Sequence, residues 1–96
     1  MIDFNRDNGL TCVFSGRMAT PECIEAEKKL NENLDDSVTS VTFDLSGVDY
    51  ISSAFLRICL TMAKRMGADG FSIIGIQPEV KKIFKIAGFD RLMPLE

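Results

Sequence analysis

Phe43-Asp44-Leu45-Ser46-Gly47-Val48-Asp49-Tyr50-Ile51-Ser52-Ser53-Ala54-Phe55-Leu56-Arg57 holds a strand end, a connection and a helix start. Val38 to Leu45 alternates with Val41, Phe43 and Leu45 on one face, the pattern of a strand, and Ser46-Gly47 reads as its close. A helix is predicted from Ser52 or Ser53 to Met66, stopped by Gly67 as a left-handed C-terminal residue. At about 100° per residue, Arg57, Thr61, Lys64 and Arg65 line up as one polar stripe. Phe55, Leu56, Ile58, Cys59, Met62, Ala63 and Met66 cover the remaining faces, so the helix is mostly buried with one wet edge. The same rotation carried backwards puts Ser53 at the head of the wet edge and Ser52 on the core side, suited to capping the helix.

Working outward, strand and helix signals alternate. A short strand is predicted near Ile2–Asn5, and the turn Asp7-Asn8-Gly9 joins it to Leu10–Ser15 as a hairpin, ended by Ser15-Gly16-Arg17. Thr20-Pro21-Glu22 opens a helix, with Thr20 as cap and Pro21 in the first helical position, and Cys23, Ala26, Leu30 and Leu34 form its apolar stripe. Glu22, Glu25, Lys28, Lys29 and Glu32 fall on its solvated faces. Phe71–Ile76 is a nearly continuous apolar run typical of a buried strand. Gln77-Pro78 starts a last helix on Val80, Ile83, Phe84 and Ala87, ended by Gly88, and the tail Arg91–Glu96 offers a short edge strand. The fold class is α/β: one domain, residues 1–96, with a small mixed sheet built from an N-terminal hairpin followed by β-α-β-α-β-α units and right-handed crossovers.

Composition narrows the function. Lys+Arg 11 against Asp+Glu 14 leaves a net charge of −3, against the broad cationic face that nucleic acid or anionic lipid requires. No apolar run approaches the roughly 18–20 residues that cross a bilayer, and Met1–Asp7 does not read as a signal peptide, so a soluble, cytoplasmic chain without membrane insertion is expected. The absence of His removes the common zinc sets, His-assisted nucleophiles and His-based phosphorelay. Cys12, Cys23 and Cys59 are expected as buried free thiols. With no phosphate-binding glycine loop, metal-ligand spacing or nucleophile–base pair, neither a catalytic role nor a cofactor is expected. Asp44 and Asp49 read as a strand-end and loop pair making local hydrogen bonds. A response-regulator receiver would need an acidic pair after its first strand and a later catalytic Lys, neither of which is apparent.

Open α/β sheets place function where strands end and helices begin, which singles out residues 46–53. There the sequence resembles a family. Phe43–Arg57 is similar to the signature of STAS domains of the bacterial anti-sigma factor antagonist type: a strand ending in Asp-Leu-Ser-Gly, a hydrophobic pair, then Asp-Ser-Ser-Gly-Leu or Ser-Ser-Ala-Gly-Leu. The flanks agree, since Phe14-Ser15-Gly16-Arg17-Met18 matches a strand ending in Gly-Arg-Leu. Ile76-Gln77-Pro78-Glu79-Val80 and Ala87-Gly88-Phe89-Asp90-Arg91-Leu92 match the closing helix.

The resemblance implies a partner-switching protein without enzymatic activity. Its partner is a serine kinase that is also the anti-sigma factor, of the histidine-kinase-like ATPase type. That kinase phosphorylates the second residue of the loop motif, here Ser53, with Ser52 a secondary candidate, and a PP2C-type phosphatase reverses the step. Asp49, Tyr50, Ala54, Phe55, Arg57 and Lys64 are then the candidate partner-binding residues. Three positions depart from the pattern: Phe55 stands where Gly is usual, Ser52 where Asp often precedes the phosphorylated serine, and Ala19 where Asp commonly follows Gly-Arg-Leu. Phe55 either packs into the core near Met62 and Met66 or, if exposed, anchors an interface. Family members often carry a further C-terminal helix where this sequence stops, which leaves weak self-association as a homodimer open. The alternative reading is a phosphorylation-independent STAS subunit of a lipid-transport or other membrane ATPase complex.

Overall fold

The computed structural model describes residues 2–6, 9–67 and 69–91. Its elements are β1 (Ile2–Asn5), β2 (Leu10–Met18), α1 (Thr20–Asn33), β3 (Val41–Ile51), α2 (Ser53–Met66), β4 (Phe71–Ile74), α3 (Pro78–Ile86) and a 3-10 turn at Phe89–Arg91. The sheet order follows the chain, β1-β2-β3-β4; β1 pairs antiparallel with β2, and β2–β3 and β3–β4 pair parallel. This is the mixed sheet expected of a hairpin followed by crossover helices.

Alternation decides which face is covered. Leu10, Cys12 and Phe14 of β2, Val41, Phe43 and Leu45 of β3, and Phe71 and Ile73 of β4 are buried on one face. The buried sides of α1 (Cys23, Ala26, Leu30), α2 (Phe55, Ile58, Cys59, Met62) and α3 (Val80, Phe84) join them in one cluster. On the other face Thr11, Val13, Thr42, Asp44, Ser72 and Ile74 remain half-buried or exposed. At the centre the rings of Phe14 and Phe43 meet edge-on at 4.8 Å, and Phe43 and Phe71 at 4.9 Å, the arrangement that ring quadrupoles favour.

Several boundaries differ from the sequence reading. β2 does not end at Ser15-Gly16-Arg17 but runs to Met18, and β3 does not begin at Val38 or close at Ser46-Gly47 but spans Val41–Ile51. The two strands support each other through the stretch that local chemistry marks as a turn: Ser15 pairs with Gly47, Gly16 with Val48, Arg17 with Tyr50 and Met18 with Ile51, with one irregular step between Val13 and Ser15 and another between Gly16 and Arg17. Gly16 takes a positive φ of 81° within this irregular stretch. Ahead of β3, the Val38 amide donates to the Asp35 carbonyl at 3.1 Å, turning the chain where a strand start was expected. β4 stops at Ile74, not Ile76, because Gly75 turns out of it at φ 68°.

The start of α1 also differs. Its N-cap is Ala19 and no side chain caps it, so Thr20 is the first helical residue and Pro21 the second. The Cys23 amide closes the first turn on the Ala19 carbonyl at 3.0 Å, and Pro21 brings no N–H that would need a partner. Asp7 and Asn8 of the predicted hairpin turn, and Leu92–Glu96 of the predicted edge strand, lie outside the described residues.

Candidate functional site

The last β2–β3 pair, Met18 with Ile51, delivers the chain directly to Ser52 and the start of α2. Ser52 is the N-cap residue, as expected, but it makes no side-chain cap bond. Its amide donates to the Met18 carbonyl at 3.1 Å and its hydroxyl donates to the same oxygen at 3.0 Å. The Cys23 thiol lies 3.6 Å from that hydroxyl and 3.5 Å from the Met18 carbonyl. The expected cap is thus corrected to a tie. The β2 strand end offers a carbonyl with no further strand partner, and that oxygen draws the hydroxyl proton away from the helix.

Ser53 follows as the first residue of α2, and it is exposed. The Ser52 carbonyl accepts the Phe55 amide at 3.0 Å and the Leu56 amide at 3.2 Å, fixing the first turn. The amides of Ser53 and Ala54 find no acceptor among the described residues. They make the outer end of α2 the positive end of its dipole, one that tolerates an anion.

The candidate partner-binding residues divide. Asp49 and Tyr50 are exposed at the end of β3, with Tyr50 37% accessible. Ala54 is half-buried and Arg57 exposed, one turn beyond Ser53. Lys64 is exposed too, but it lies about 16 Å farther along the helix than Ser53 at 1.5 Å per residue and so is not part of the immediate site. Phe55 takes the core alternative and leaves the partner-binding set: it is 0% accessible, its ring 5.1 Å edge-on from Phe14 and 6.2 Å from Phe43. It cannot touch a partner, because it points inward from the first turn into the aromatic centre of the core.

Arg17 was not among the sequence candidates. Its guanidinium stacks over the Tyr50 ring at 3.9 Å, which follows from their register on neighbouring strands. The signal was present in Gly16-Arg17, but a strand thought to end there gave Arg17 no neighbour.

The three thiols are buried and free. Burial pushes Cys12 up to about 12 and Cys59 well above the usual thiol range. Cys23 is raised by burial as well, against the opposing effect of its Ser52 contact. Such thiols stay protonated and unreactive near neutral pH. Among the described residues no three His, Cys, Asp or Glu side chains gather as a metal site, and no helix is long and apolar enough to cross a membrane.

A family model of the STAS domain matches residues 2–96. The chain belongs to the STAS domain family. This STAS domain is 30% identical over 91 residues to BtrV of Bordetella bronchiseptica, provisionally named an anti-sigma factor antagonist, over 93% of this chain and 78% of BtrV. An anti-sigma factor antagonist from Mycobacterium paratuberculosis superposes with a TM-score of 0.83 at 22% identity, covering 99% of this chain and 81% of its own. The anti-sigma factor antagonist SpoIIAA in its unphosphorylated form gives 0.82 at 15% identity, covering 100% and 88%. The phosphorylated form of the Bacillus protein gives 0.74 at 14%, covering 100% and 91%. The STAS domain therefore has the SpoIIAA-like fold.

Proposed function

We propose that this STAS domain is a regulatory protein of the anti-sigma factor antagonist type, which binds a partner serine kinase that doubles as an anti-sigma factor and is switched by reversible phosphorylation of Ser53. The observation that carries the reading is the exposed hydroxyl of Ser53 at the open end of α2, while its neighbour Ser52 is tied to Met18. The relatives named anti-sigma factor antagonists support the same reading, BtrV most directly by sequence.

In the forward step the Ser53 hydroxyl oxygen attacks the γ-phosphorus of ATP. The new O–P bond forms as the bond to the β-phosphate oxygen breaks, ADP leaves and the hydroxyl proton is released. A PP2C-type phosphatase reverses it with water, giving back the hydroxyl and inorganic phosphate. The modification adds about −1.5 to −2 charge. The fold accommodates that charge because it lands at a helix N-terminus in water. A docked partner does not, since a dianion in a dry interface is left without its hydration. A loss of about 2–5 kcal/mol weakens binding about 30-fold to several thousandfold.

Incubation with the cognate serine kinase and ATP tests the reading. One phosphoryl group is expected by mass spectrometry on the parent and on Ser52→Ala, and none on Ser53→Ala. Stable co-purification with a membrane ATPase, with no modification of Ser53 under any condition, would instead favour a constitutive transport-complex subunit.

A further inference from the structure

α2 carries Arg57, Lys64 and Arg65 and no acidic residue. Of the three cations, only Arg57 is within one turn of Ser53. Residues four apart on a helix stand with their Cβ atoms about 5–6 Å apart, and an anion on the N-terminal member with a cation on the C-terminal one is the favourable order. Both Ser53 and Arg57 are exposed, and Arg57 forms no ion pair among the described residues. Its fork of donors suits phosphate oxygens, and the path to them crosses open solvent along the wet edge of the helix.

We propose that Arg57 holds the phosphoryl group in cis once Ser53 carries one. The inference rests on Ser53 being the modified residue, and it adds the recognition of the product by the chain itself. Modification then changes the surface twice at one place: a dianion appears, and the exposed guanidinium beside it is drawn onto that dianion and away from any partner carboxylate. Other charges face the region. Arg17 over Tyr50 is the second cation; Glu22 and Glu27 of α1 are acids that act on Cys23, the neighbour of Ser52, and Asp49 is exposed near the end of β3. Arg57 is distinguished from Arg17 by being unstacked and on the same helix face as Ser53.

The test requires no kinase. Phosphoserine is placed at position 53 by genetically directed incorporation, and its second ionisation, ordinarily near pH 6, is followed by phosphorus NMR. A nearby cation favours the dianion, so the midpoint in the parent is expected about 0.3–0.7 unit below that of Arg57→Gln. Arg57→Lys should recover part of the difference, and Lys64→Gln should leave the midpoint where it is in the parent. Equal midpoints in the parent and Arg57→Gln overturn the proposal, as does a shift in Lys64→Gln as large as in Arg57→Gln, which would reveal a general field of the helix. A kinase that never modifies Ser53 would refute the proposed function without altering this measurement.

Discussion

Ser52 and Ser53 are neighbours of one chemical type with opposite surroundings. Ser52 spends its hydroxyl proton on the Met18 carbonyl, joining the end of β2 to the start of α2, whereas Ser53 faces solvent. Ser52→Ala is therefore expected to cost about 0.5–1.5 kcal/mol, read as a lower urea midpoint, and Ser53→Ala close to nothing. Phe55 presents the opposite case from a surface residue. Phe55→Ala removes a ring packed on Phe14 and Phe43 and should cost about 3–5 kcal/mol in urea unfolding. A loss below 1 kcal/mol would mean that the core closes over the gap. At this scale the sequence resolved the outward aim of Ser53, since a helical rotation of three to four residues per turn is a local property. It did not resolve the bond made by Ser52, because Met18 is 34 positions away and its carbonyl comes within reach only through the pairing of β2 with β3.

Helix positions were legible where side-chain period and stop residues agree. α2 occupies the span expected, and Gly67 ends it at φ 78°, its amide bonded to the Ala63 carbonyl at 2.9 Å. Strand ends were less legible, because Ser46-Gly47 has the local chemistry of a turn while its pairing partner lies on β2. Asp44 gives that local chemistry an outlet without breaking the strand, accepting the Ser46 amide at 3.0 Å and the Ser46 hydroxyl. The connection from α2 to β4 is tight in another way. A Cβ on Gly70 would overlap the Met66 carbonyl oxygen, which belongs to the last turn of α2 and cannot rotate aside. Gly70→Ala is expected to destabilise the protein by about 1–3 kcal/mol in thermal or urea unfolding, by forcing the strand entry away from the helix. An unchanged midpoint would show that the connection moves freely.

Over the whole molecule, the thiols link stability to alkaline pH. An unfolded cysteine releases its proton near pH 9, while folded Cys12 keeps its proton to about 12, and Cys23 and Cys59 are raised in the same direction. Above pH 9 the unfolded chain therefore binds fewer protons than the folded one, so stability is full below that pH and falls as pH climbs toward 12. Urea midpoints measured from pH 8 to pH 10.5 should decline, and should decline less in Cys12→Ala. A thiol reagent at pH 8 should label the native chain slowly and all three cysteines rapidly in denaturant. The burial of the cysteines was readable from their apolar neighbours, but the contact between Cys23 and Ser52 arises only when α1 packs beside the end of the sheet.

Because β3 remains hydrogen-bonded to β2 up to Ile51, the residue before the tie at Ser52, Ser53 is mounted on a pedestal with little slack behind it. Any protein that engages it meets a connection already ordered by these bonds. The ordering that recognition requires then falls to the visitor, and an encounter succeeds or fails on orientation without waiting for a loop to settle.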